Sequence, residues 1–95
     1  DAASGLAQTV MRVRCADADI APELVATRAD VERFLRAIVD RDEDAADFPL
    51  GQGWRRDLVG EELVELVEGR VALSLSDRSP YLAITRLDGD RPSDA

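Results

Sequence analysis

From Thr27 onward the chain carries its plainest pattern: Val31, Phe34, Leu35, Ile38 and Val39 recur at helical spacing, giving a stripe wide enough to face a core. Thr27 can accept the backbone N–H of Asp30, whose carboxylate suits the positive first turn, in a variant of the capping box. On the solvent side Arg36 lies one helical turn from both Glu32 and Asp40, two candidate ion-pair partners. An earlier helix is predicted over residues 5–18, capped by Ser4, with Leu6, Val10 and Val13 in register and Ala7, Met11 and Cys15 widening the stripe. Arg14 falls inside that stripe by angle. Pro22 breaks the pattern and suits the first turn of a short helix over 22–25.

The stretch DRDEDAAD at 40–47 is almost free of apolar residues and reads as a solvated loop, continued by Pro49, Gly51 and Gly53. Helical spacing resumes at Trp54, Leu58 and Val59. Gly60 interrupts it, marking a tight helix-to-helix turn or a close backbone contact. Over 61–68, Leu63, Val64, Leu66 and Val67 share one face and Glu61, Glu62, Glu65 and Glu68 the other, with Gly69 as the C-terminal cap. The period then changes to two. Val71, Leu73 and Leu75 alternate with small residues, Asp77-Arg78-Ser79-Pro80 supply turn chemistry, and a second strand runs to Leu87. An isolated hairpin is marginal in water, so Leu73, Leu75, Leu82 and Ile84 are expected to cover one edge of the helical core. The tail 88–95 has no large apolar residue and is expected to be disordered. The predicted fold is mainly α: one small domain with a helical core over about 5–69 and a C-terminal β-hairpin over 71–87.

Composition narrows the chemistry. Ninety-five residues suffice for one compact domain. No apolar run is long enough for a bilayer span and no basic segment leads into an apolar one, so no membrane partner is expected and the expected compartment is the cytoplasm. The chain has no histidine, and all twelve of its basic residues are arginines. That removes serine–histidine and cysteine–histidine chemistry, Schiff bases, the P-loop lysine and histidine-bearing zinc sites. Cys15 is alone and belongs to an apolar face, so an inert core thiol is expected. Glu61, Glu65 and Glu68 are neighbours in helical register, but their position opposite the apolar stripe points to a solvated face rather than an acid–base or metal cluster. The 40–47 run lacks EF-hand spacing and its glycine. No metal site is expected.

Trp54-Arg55-Arg56 is the most suggestive constellation. An exposed tryptophan beside two guanidiniums can stack a base and hold a phosphate, as single-strand binders do. The competing and more ordinary reading makes Trp54 the principal core aromatic, in a chain whose other aromatics are Phe34, Phe48 and Tyr81. The net charge of −8 repels polyanions as a whole. The acid excess is nevertheless local to 40–47, 57–68 and the tail. Arg28, Arg33, Arg55 and Arg56 form one basic face if the long helix after Thr27 packs beside the Trp54 turn; the alternative is a scattered, ion-paired surface.

Ile20-Ala21-Pro22-Glu23-Leu24, then Ala26-Thr27-Arg28 with a leucine-rich helix, then Gly53-Trp54-Arg55-Arg56 and Gly60 with a second one, together resemble the C-terminal part of bacterial ribonuclease D proteins. The likeness covers about residues 6 to 75 and lies in the helicase-and-ribonuclease-D C-terminal (HRDC) domain region. It implies an HRDC-like helical fold within a 3′–5′ exoribonuclease whose catalytic residues and divalent metals belong to a separate nuclease domain. The chain begins at Asp1 without methionine, as expected of a piece of a longer polypeptide. By this resemblance the chain itself is not an enzyme and needs no cofactor. It is an accessory domain that helps position structured RNA, with Arg28, Arg33, Trp54, Arg55 and Arg56 as nucleic-acid contacts. The acidic 40–47 segment is expected to project near Trp54-Arg55-Arg56. The alternative is a docking module that packs on the nuclease domain of the same polypeptide or on a second copy, through an apolar patch along Val71 to Leu75 or Tyr81 to Leu87 and without RNA affinity of its own.

Overall fold

The structure is a computed structural model that describes residues 2–78 and 82–87. Ser79, Pro80 and Tyr81 of the expected turn and second strand, and the tail 88–95, lie outside the described residues. Helix α1 (Ala2–Ala18) starts earlier than the sequence predicts, because the small residues before Gly5 join it, and Ser4 lies in its first turn rather than capping it. Ala7, Val10, Met11 and Cys15 are its buried face, whereas Leu6 is 45% exposed. Arg14, predicted to sit awkwardly in the stripe, instead forks onto Glu62 through Nε and Nη2 at 2.6 and 2.8 Å. Asp19 ends the helix with a left-handed φ of 58°, and the Ile20 amide returns to the Cys15 carbonyl at 2.9 Å.

Pro22 opens α2 (Pro22–Val25) as its sequence position predicts. Helix α3 (Arg28–Val39) carries the complete reciprocal cap: Asp30 N–H donates to Thr27 Oγ1 at 3.1 Å and Thr27 N–H to Asp30 Oδ2 at 3.0 Å. Such a cap contributes about 1 kcal/mol. Val31, Phe34 and Leu35 are buried as expected, but Val39, at the end of the stripe, is 60% exposed. Arg36 makes neither of its candidate ion pairs among the described residues.

The expected loop holds two 3-10 turns, Glu43–Asp47 and Pro49–Gly51. Between them Phe48 meets Phe34 at a ring separation of 6.3 Å, and Leu50, only 1% exposed, plugs the core. The chain then runs without a turn through α4 (Gly53–Arg55), a π-helical segment (Arg56–Gly60) and α5 (Glu61–Val67). Of the two roles open to Gly60, the close contact is the one it plays. Its backbone is ordinary helix, but a β-carbon there would lie 1.7 Å from the Leu50 carbonyl oxygen. The wider π turn occurs where the Leu50 backbone crosses.

Gly69 has φ +79°, fitting its expected place after α5. Strands β1 (Val71–Leu75) and β2 (Leu82–Arg86) pair antiparallel, with Leu73 opposite Ile84 and Leu75 opposite Leu82. Val71 is buried and Leu73 and Ile84 pack on the core, but Leu75 is 88% exposed because the far end of the hairpin overhangs the helices. The hairpin is fastened by Arg86, whose Nη2 reaches Glu65 Oε2 at 2.6 Å. Glu65 therefore departs from the solvated face predicted for all four glutamates and is only 9% exposed. No helix among the described residues is long and apolar enough to cross a membrane.

Candidate nucleic-acid interface

Gly53 enters α4 at φ +65°, a conformation that costs other L-residues about 1–2 kcal/mol. The turn sets Trp54 on the surface, 47% exposed, which overturns its expected burial. Phe34 and Leu50 belong to the core instead, with Phe48 packed against them.

Arg55 is half-buried and points back to α2. Its Nε donates to the Val25 carbonyl at 3.0 Å and its Nη2 to the Leu24 carbonyl at 3.1 Å, satisfying acceptors that the end of a helix leaves open. The same guanidinium lies over the Trp54 ring, 4.4 Å from its centroid. Leu24, whose backbone carbonyl Arg55 reaches, is itself 64% exposed. Arg28, at the start of α3 and three residues beyond Val25, is exposed and has no ion pair or hydrogen bond among the described residues.

The other two candidates lie elsewhere. Arg33 is about 140° around the helix from Arg28. It pairs with Asp30 at 3.1 Å. The Thr27 amide first, then the Thr27 hydroxyl and Arg33, hold the Asp30 carboxyl below the usual carboxylate range. Arg56 gives both Nε and Nη2 to Glu61 Oε1, at 2.8 and 2.7 Å. It lines a shallow depression of about 270 Å³ with Asp42 and Glu43, so the acidic segment does project beside it, as its sequence position suggested. The structure thus joins Trp54 and Arg55 to the end of α2, whereas Arg33 is paired with Asp30 and Arg56 with Glu61.

The helical glutamates each have a separate structural partner: Glu61 with Arg56, Glu62 with Arg14, Glu65 with Arg86 and Glu68 with Arg70. Among the described residues no three histidine, cysteine, aspartate or glutamate side chains group as a metal site. Cys15 is fully buried, and burial first, then Glu23, pushes its thiol pKa up. Leu24 escaped the sequence reading, since a leucine in a four-residue helix carries no signal of exposure. Only the bond from Arg55, some thirty residues away, ties its backbone to the Trp54 turn.

Comparison with known proteins adds the family. The chain is 36% identical over 70 residues to ribonuclease D of Gluconacetobacter diazotrophicus, a match covering 74% of this chain and 16% of that protein. Ribonuclease D of Zymomonas mobilis is 31% identical over the same share of each chain. That of Acidiphilium cryptum is 32% identical over 77% of this chain and 17% of its own. No family model and no solved structure matches. The chain spans about a sixth of the length of these curated relatives. Over some three quarters of its residues, it is homologous to a small part of the ribonuclease D proteins.

Proposed function

We propose that this chain is a non-catalytic, HRDC-like accessory domain of a ribonuclease D-like 3′–5′ exoribonuclease of the cytoplasm, and that it helps hold RNA for trimming. In this reading the hydrolysis, and the divalent metals it uses, belong to a nuclease domain of the same polypeptide. The observation that carries the proposal is the exposed Trp54 ring, backed by Arg55, with the exposed Arg28, which has no ion pair among the described residues, three positions beyond Val25. An aromatic face with a cation nearby is the combination that binds single strands without reading sequence.

The test is an anisotropy titration of labelled single-stranded RNA with the chain at about 50 and 200 mM salt, the range over which phosphate contacts lose affinity steeply. Saturable binding that weakens at the higher salt supports the proposal. Absence of binding at both salts overturns it and favours docking against the nuclease domain. That second reading draws support from the net charge of −8 and from the apolar exposure of Leu24 and Trp54.

A further inference from the structure

We propose that Trp54 is a one-faced stacking platform for a single unpaired RNA base, and that Arg55 is the positioning residue that fixes it rather than a phosphate contact. The inference rests on the RNA-holding reading above and names the element of RNA that the site takes. A guanidinium is planar, with its donors along its edge. Two of those donors are turned onto the carbonyls of Val25 and Leu24, which anchors the plane, and its face is left to the indole. One side of the ring is therefore occupied from within the chain. With 47% of the residue still exposed, the opposite side is left to a ligand.

A single indole face accommodates one base. A base within a duplex is already stacked on both sides, so the ligand is an unpaired nucleotide, and any of the four bases offers the necessary π-face. Two of the five donors of Arg55 are committed to carbonyls and its face to the indole, so the exposed Arg28, three residues beyond Val25, is the cation assigned to the adjoining phosphate. The sequence alone suggested the opposite assignment for Arg55.

Trp54 is the only tryptophan in the chain, so intrinsic emission reports on this ring alone. The experiment titrates the full chain with a labelled oligouridine and with an RNA duplex of equal length, recording anisotropy and Trp54 emission together. The expected result is binding of the single strand with parallel quenching. Trp54→Leu, which keeps apolar bulk without a π-face, should weaken binding about ten-fold, and Trp54→Phe less. Arg28→Gln should lower the slope of log affinity against log salt by about one. Arg55→Gln and Arg55→Lys should both reduce quenching and affinity several-fold while leaving that slope unchanged, with melting curves verifying that each variant is folded.

Restoration of full affinity by Arg55→Lys, with a smaller salt slope in Arg55→Gln, would make Arg55 a phosphate contact and overturn its positioning role. RNA binding with unchanged Trp54 emission and an unaffected Trp54→Leu variant would overturn the stacking platform while leaving the RNA-holding reading intact. If no single strand binds at about 50 mM salt, that reading itself fails and the platform with it. A site that instead captures the nuclease domain, and does so equally well in Trp54→Leu, would be a protein contact.

Discussion

Arg55 and Arg56 are adjacent in sequence and have opposite surroundings. Arg55 turns inward to two backbone carbonyls and covers one face of Trp54, while Arg56 turns outward to Glu61 beside Asp42 and Glu43. On the first side the exposed Arg28, with no ion pair among the described residues, offsets the exposed Glu23 of α2; on the second, carboxylates outnumber the guanidinium. A strongly acidic domain can therefore offer one face on which a phosphate is not repelled at contact range, because screening at physiological salt shortens the reach of acids elsewhere to about 8 Å. The placement of the acids matters more than their total.

The largest effect expected comes from the scaffold that both sides share. Gly60→Ala sets a β-carbon against the Leu50 carbonyl, and backbone on both sides leaves little room to yield. Thermal unfolding should show destabilisation of about 3 kcal/mol or more, at the upper end for overpacking. A melt like that of the parent chain would mean that the helix need not cross Leu50 so closely. Next come the two arginines themselves. Arg55→Ala loses two charge-assisted bonds to carbonyls and should destabilise by about 1–2 kcal/mol. Arg56→Ala breaks an ion pair that is about half-exposed at both ends, and the change should stay within about 0.5 kcal/mol. Equal losses from denaturant titrations would erase the distinction between the two sides.

A smaller effect tests the acidic side. Glu61→Gln frees Arg56 and removes one negative charge, so RNA affinity should rise about two-fold at low salt and the gain should shrink at 200 mM. Acid pH offers a further check, on the hairpin. Arg86 first holds the Glu65 carboxyl below its ordinary range, against the opposing effect of burial, with Arg70 assisting. Because the folded value lies below the unfolded one, this stabilisation is full above the ordinary carboxylate range and is lost as pH falls through the folded value. Glu65→Gln should flatten that part of the acid melting profile. A variant profile as steep as the parent's would remove Glu65 as its source.

Features set by neighbours in sequence are legible from the sequence itself. The Thr27 and Asp30 cap, the stripe from Val31 to Ile38, the place of Gly69 and the change of period at Val71 all depend on residues a few positions apart. Features set by distant partners are not. Glu65 looks like Glu61 within the helix, and only Arg86, on the second strand, distinguishes it. Trp54 looked like a core residue because aromatics are scarce, yet Phe48 and Leu50 reach the core from a segment whose acids suggested a loop. At the candidate interface the residue types were readable. The division of their roles was not, since it depends on Arg55 meeting the end of α2.

The central claim is that RNA is held on the Trp54 side and not on the Arg56 side. Its most direct test is a ¹H–¹⁵N correlation spectrum of the labelled chain titrated with a short single-stranded RNA. The account predicts shifts of the Trp54 indole N–H and of the amides of Leu24, Val25, Arg28 and Arg55, with the amides of Asp42, Glu43 and Glu61 staying in place. Shifts centred on Asp42, Glu43 and Arg56, or a spectrum that RNA leaves unchanged, would contradict it.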